Sequence, residues 1–341
     1  MELRSIFKGG NLELQKRERM NRAAALRLGG LSATAAVCSS FFPSRARAQG
    51  TLAPVSLLSV PNDSSGEMYY AQELGLFAKA GLDVRLQSVN DPSATAGAVL
   101  SGTATFGGLT IPGYATAHQR GIPIVIVAPT SIYSSANPTS GIIVLKNSSF
   151  KRASDLNGKT IATRDIFDMS YYGAKVWIDK NGGDSKTIKW FEIGDTTAVA
   201  AMQAGRIDAA AVSEPALDNA LHGPDARLLA ACDDAIADRF LIAAHYTTVA
   251  YAKANPEIVQ GFCDAIISAG IWANNHHAES AKILEKYLAT PVPPTNRRVT
   301  YAERVRPGDA QPVLDVLLQY GVLKAPLQAS VLFAPELHID A

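Results

Sequence analysis

From Leu52 onward, apolar positions fall into two alternating rhythms. The run Val55 to Val60 (VSLLSV) is short and apolar and is broken by PNDSSGE, which predicts a buried strand followed by a turn. MYYAQELGLFAKAG then places apolar residues at helical spacing up to Gly81, and LDVRLQSV alternates as a strand does. A helix from about Ser93 to Ser101, a strand near Ala104 to Phe106, a helix starting near Ile111 and the apolar strand IPIVIVAP complete the first set. In the second set GIIVLK, KTIAT, IKWFEIG, DAAAVSEP and ARLLAACD read as strands. SDLNG reads as a short helix and turn, DMSYYGAKVWIDKNGG and TTAVAAMQAG as helices. Beyond Ala235 the pattern becomes largely helical: PEIVQGFCDAIISAGIWANN, HAESAKILEKYLA and DAQPVLDVLLQYG.

Repeated βα units imply mostly parallel sheets covered by helices on both faces. The expected fold class is therefore α/β with two lobes, the second inserted in the first. Lobe one takes residues 49–138 and 233–341, lobe two residues 139–232, with crossovers near Ser131 to Ser140 and Cys232 to Thr248. In such sheets ligands lie beyond the carboxyl ends of the strands, where helix N-termini meet the crevice.

Composition changes this picture only at the N-terminus. The chain has 341 residues, 47% hydrophobic and 18% charged, with a net charge of +1, an ordinary globular balance without a basic patch for nucleic acid. Residues 1–48, however, carry nine basic and three acidic side chains, +6, which leaves −5 for the rest. The uncharged stretch Leu28 to Phe42 follows the basic KRERMNR and leads to Ala46-Arg47-Ala48, so a signal peptide cleaved after Ala48 and an exported product are expected. The stretch is shorter than the ~20 apolar residues of a membrane span. Translation from Met1 or from Met20 gives the same mature chain, and Asn21 in NRAAALRLGG leaves Sec or twin-arginine export open. Val37 before Cys38 argues against lipoprotein processing.

Four stretches in order, YYAQELGLFAKAGLDVRL, ASDLNGKTIAT, AMQAGRIDAAAVSEPAL and DVLLQYGVL, resemble the periplasmic solute-binding proteins of the nitrate/sulfonate/taurine type, which carry the NMT1/THI5-like domain. The resemblance implies a type II-like periplasmic-binding-protein fold that closes on a small molecule and hands it to the permease subunits of an ABC importer. It implies no catalysis, no cofactor and a monomer.

The candidate ligand residues sit in the βα loops. Asn62, Asp63 and Ser65 follow the first strand, where Ser64 and Glu67 also spell a capping box. Thr110 stands at a helix start as cap or ligand hydroxyl, and Tyr133 falls in the first crossover. Arg164 can fork onto a carboxylate or sulfonate, or be neutralised by Asp165 or Asp168. Ser170 and Tyr171 open the next helix. Glu214 can accept from an amino group or ring N–H of a solute, or hold the hinge; the family usually has an aromatic residue where Ser213 stands. Acidic residues outnumber Arg164 in these loops, which favours a neutral, amine-bearing or aromatic/heterocyclic solute over a sulfonate or carboxylate.

Enzyme motifs are absent: no H-E-x-x-H, G-x-S-x-G, P-loop or dinucleotide fingerprint occurs, and no histidine spacing suggests a metal. The alternative enzyme of the same fold, a thiamine-pyrimidine synthase, uses a cysteine-rich iron motif. Only Cys232 and Cys263 remain in the mature chain, paired or as buried thiols. A periplasmic ligand-sensing module is the other alternative.

Overall fold

The computed structural model describes residues 51–89 and 92–338; the expected export segment lies outside them. In chain order the strands are β1 (Ala53–Ser59), β2 (Leu82–Ser88), β3 (Phe106–Thr110), β4 (Ile124–Pro129), β5 (Ser131–Ser134), β6 (Ser140–Leu145) and β7 (Thr160–Thr163). They continue with β8 (Lys189–Glu192), β9 (Ala209–Ser213), β10 (Ala226–Ala230), β11 (Arg239–Leu241), β12 (Ala243–Thr248) and β13 (Thr300–Tyr301). The helices are α1 (Glu67–Glu73), α2 (Leu76–Lys79), α3 (Pro92–Leu100), α4 (Ile111–Gln119), α5 (Met169–Lys180) and α6 (Ala198–Gln203). After them come α7 (Ala216–His222), α8 (Val249–Ala254), α9 (Pro256–Asn275), α10 (His277–Leu288) and α11 (Gln311–Gln319).

One five-stranded sheet has the order β2-β1-β3-β12-β4, another the order β10-β6-β9-β7-β8. In each, four strands share a direction and one is reversed: β12 runs antiparallel to β3 and β4, and β6 antiparallel to β9 and β10. The reversed strand is the first to enter its sheet after the chain leaves the other one. It arrives without the helical crossover that makes successive strands parallel.

The first core is built on an aromatic stack in which Phe106 lies 4.0 Å and Phe77 5.8 Å from Phe262. Phe262 belongs to α9, which buries Val259, Phe262, Cys263, Ile266, Ala269 and Ala273, a stripe at helical spacing. The second sheet is covered on both sides: Ile142 and Val144 face one cluster, Ile143 the other. That is why GIIVLK reads as a continuous apolar run.

Five expectations need correction. The helix expected over MYYAQELGLFAKAG is two helices, because Gly75 takes φ +65° between α1 and α2. The strand expected near Ala104 starts at Phe106 instead. The stretch Cys232 to Thr248 holds β11 and β12, with β12 inside the first sheet; AAHYTT looks too polar for that place because its polarity is met internally. His245 is fully buried and its Nε2 lies 2.9 Å from Glu67 Oε1. Glu67 is therefore turned inward and Ser64 caps nothing; Asn62 takes that role, its Oδ1 accepting the Ser65 N–H at 3.0 Å. Lastly, β5 of the first crossover joins β11 and β13 in a small third sheet.

Cys232 and Cys263 are both buried and free. Among the described residues no helix is long and apolar enough to cross a membrane.

Candidate functional site

Strands β1, β3, β7 and β9 end at Ser59, Thr110, Thr163 and Ser213, and the loops beyond these carboxyl ends wall a cavity of about 220 Å³. The first sheet contributes Asn62, Ser65 and Thr110; the second contributes Arg164, Asp168 and Glu214. Thr110 caps α4 by accepting the Gly113 N–H at 3.5 Å and donates to the Phe167 carbonyl at 2.8 Å. That second bond ties the loop after β3 to the loop after β7. Ser65 accepts from the Ser59 hydroxyl at 3.1 Å, so both hydroxyls border the cavity in fixed positions.

Arg164 is held by two acids. It pairs with Asp195 and lies 3.3 Å from Asp168, which also caps α5 through the Ser170 N–H. The Asp195 charge, followed by that of Asp168, holds the guanidinium firmly protonated. Asp168 was anticipated as a partner; Asp195, thirty-one positions away, was not, since a short loop-to-loop ion pair leaves no local pattern.

Glu214 is 3% exposed. Its Oε2 accepts the Asp218 N–H at 3.0 Å, whereas Oε1 stands 3.7 Å from Arg297 Nε and makes no hydrogen bond. Burial pushes this carboxyl up to about 8. Asp233, a cavity residue that the sequence reading missed, is buried against α5 and accepts from Cys232 Sγ at 3.5 Å. Burial raises it to about 7. Its place explains Gly173, where any Cβ would overlap the Asp233 carboxyl. The signal was present in CDDAIAD, an acidic pair that opens a 3-10 turn directly after a strand.

Four candidates are placed away from the cavity wall. Asp63 is fully buried in an ion pair with Arg298. Tyr133 stacks on Phe240 at 4.8 Å and donates to Asp234 Oδ1 at 2.5 Å. Ser170 is buried and donates to Asp168 Oδ1 at 2.9 Å. Tyr171 meets Trp190 edge-on at 4.7 Å. Among the described residues no group of three or more His, Cys, Asp or Glu is arranged to hold a metal ion.

The NMT1/THI5 like family model matches residues 62–280, a span that includes both sheets' cavity loops. The chain belongs to the NMT1/THI5-like family. Solved structures share its fold. The periplasmic aliphatic sulphonate binding protein SsuA of Escherichia coli superposes with a TM-score of 0.68 at 18% identity, covering 83% of this chain and 97% of that one. The periplasmic nitrate-binding protein NrtA of Synechocystis PCC 6803 gives 0.68 at 15%, covering 84% and 86%. The desulfurization enzyme DSZB gives 0.62 at 14%, covering 83% and 97%. No curated protein matches the sequence.

Proposed function

We propose that this chain is the periplasmic solute-binding component of an ABC importer, capturing one small organic molecule without transforming it. The observation that carries this reading is the cavity of about 220 Å³ walled by strand ends of both sheets, since a ligand touching both halves favours their closed arrangement. The lobes on this reading are residues 49–138 with 233–341 and residues 139–232, the export signal is removed after Ala48, and the monomer docks on permease subunits. The periplasmic binding roles named for SsuA and NrtA support it. DSZB shows that the same fold is named for an enzyme, so turnover is part of the test.

The test is a thermal-shift screen against sulfonates, aromatic carboxylates, amines, pyrimidines and flavins, with product analysis of each mixture. A true solute at a hundredfold excess over Kd stabilises the chain by about 2.7 kcal/mol and is recovered unchanged. A compound consumed by the protein, with no unreactive compound giving a shift, overturns the reading.

A further inference from the structure

We infer that the solute carries a cationic nitrogen group, an amine, amidine or guanidine, and that Glu214 and Asp233 receive it. This rests on the solute-binding reading above and names the chemistry of the same site.

The cavity wall carries Asp165, Asp168, Glu214 and Asp233 against only two arginines. Arg164 is spent on Asp195 and Asp168, and Arg120 is exposed. Of the helices that begin at the cavity, α4 and α5 have side-chain caps, Thr110 and Asp168, so their positive ends are partly answered, whereas α1 starts behind Gly66 without one. An anion entering here finds Arg164 already paired and Arg120 out in solvent. Glu214, in contrast, has a buried oxygen on this wall that makes no hydrogen bond and lies 3.7 Å from Arg297 Nε; once ionised, it can accept from an N–H donor.

Binding of a cation must be linked to protons. Glu214 faces Asp218 from α7, Arg297 from the segment before β13 and Asp63 from the first βα loop; Asp233 faces Asp168, Asp234, Cys232 and Ser140. The empty site keeps these carboxyls protonated near neutrality, with Glu214 at about 8 and Asp233 at about 7. A bound cation favours the ionised form and expels a proton, so affinity rises with pH and levels off above the Glu214 value. For one proton lost from a group at 8, the gain between pH 6 and pH 8 is about fifty-fold.

The experiment is calorimetric titration of the full chain with benzamidine, benzylamine, benzyl alcohol and benzenesulfonate between pH 6 and pH 8.5. Expected are the two cations binding at least tenfold more tightly than the alcohol or the sulfonate, with affinity increasing with pH. Glu214→Gln keeps an acceptor for the Asp218 N–H; it is expected to lose at least tenfold on the cations and flatten their pH profile while the alcohol is unaffected. The melting curve of the variant confirms that it folds. Tighter binding of the sulfonate, or affinity that falls as pH rises, overturns the proposal and leaves the binding function standing; that is the result if a protonated Glu214 donates to an oxygen of the solute. A solute from the wider screen without a cationic nitrogen also overturns it, whereas the absence of any saturable binding removes both readings.

Discussion

The buried pair Asp63–Arg298 offers the sharpest energetic test. Asp63 is 0% and Arg298 3% exposed, and the guanidinium reaches both carboxylate oxygens, Nε at 3.0 Å and Nη2 at 2.7 Å. The same carboxylate accepts the Val299 N–H at 3.1 Å and the Tyr301 hydroxyl at 2.9 Å, and Arg298 also donates to the Tyr70 hydroxyl at 2.6 Å and to Ser280 Oγ at 3.2 Å. Asp63→Ala therefore strands a buried guanidinium with neutral partners only, a loss of about 3–5 kcal/mol. Arg298→Met strands a carboxylate that keeps two donors, and should cost about 3 kcal/mol. Because each single change leaves a charge behind and the double change leaves none, the double variant should be less destabilised than the sum by about 2 kcal/mol or more. Urea unfolding followed by circular dichroism reads all four corners of this cycle. For a chain of this size Asp63→Ala should also lower Tm by roughly 6–10 °C, at about 2 °C per kcal/mol. Single variants within about 1 kcal/mol of the parent, or strictly additive losses, would refute the reasoning that this pair is desolvated and mutually dependent.

Three further outcomes are expected. Arg164→Ala leaves Asp195 and Asp168 without their cation, so it should destabilise by about 1–3 kcal/mol and weaken anionic and neutral ligands equally; selective loss of anions in a titration would mean the guanidinium is free for solute. Gly173→Ala should lower both Tm and cation affinity, since its Cβ displaces the Asp233 carboxyl; an unchanged binding isotherm would show that Asp233 does not face the solute. The raised carboxyls also set the pH dependence of the empty protein. Above the unfolded carboxylate range the unfolded chain has lost protons that folded Glu214 and Asp233 retain, so stability falls as pH rises, through about 7 for Asp233 and about 8 for Glu214. Each proton contributes a slope of about 1.4 kcal/mol per pH unit, and Glu214→Gln should flatten the decline in urea titrations from pH 5 to pH 9.

The rhythm of apolar residues sufficed for the alternating elements, the α/β class and the long helices such as α9, because a stripe at helical spacing or a short run buried on both sides is dictated by local geometry. It also placed Asn62, Ser65, Thr110, Arg164 and Glu214 in loops that border the cavity, since strand ends in an open sheet are recognisable from the pattern alone. Tertiary structure decided what those residues face. Asp63 looks like a ligand group until Arg298, 235 positions later, occupies it. Glu67 looks like half of a capping box until it meets His245, from the expected crossover, in the interior. Charge pairing over such distances leaves no periodic trace, and the free energy of burying a carboxyl depends on every element packed around it. Only the folded chain settles which acids are satisfied and which, like Glu214, keep an oxygen without a hydrogen bond.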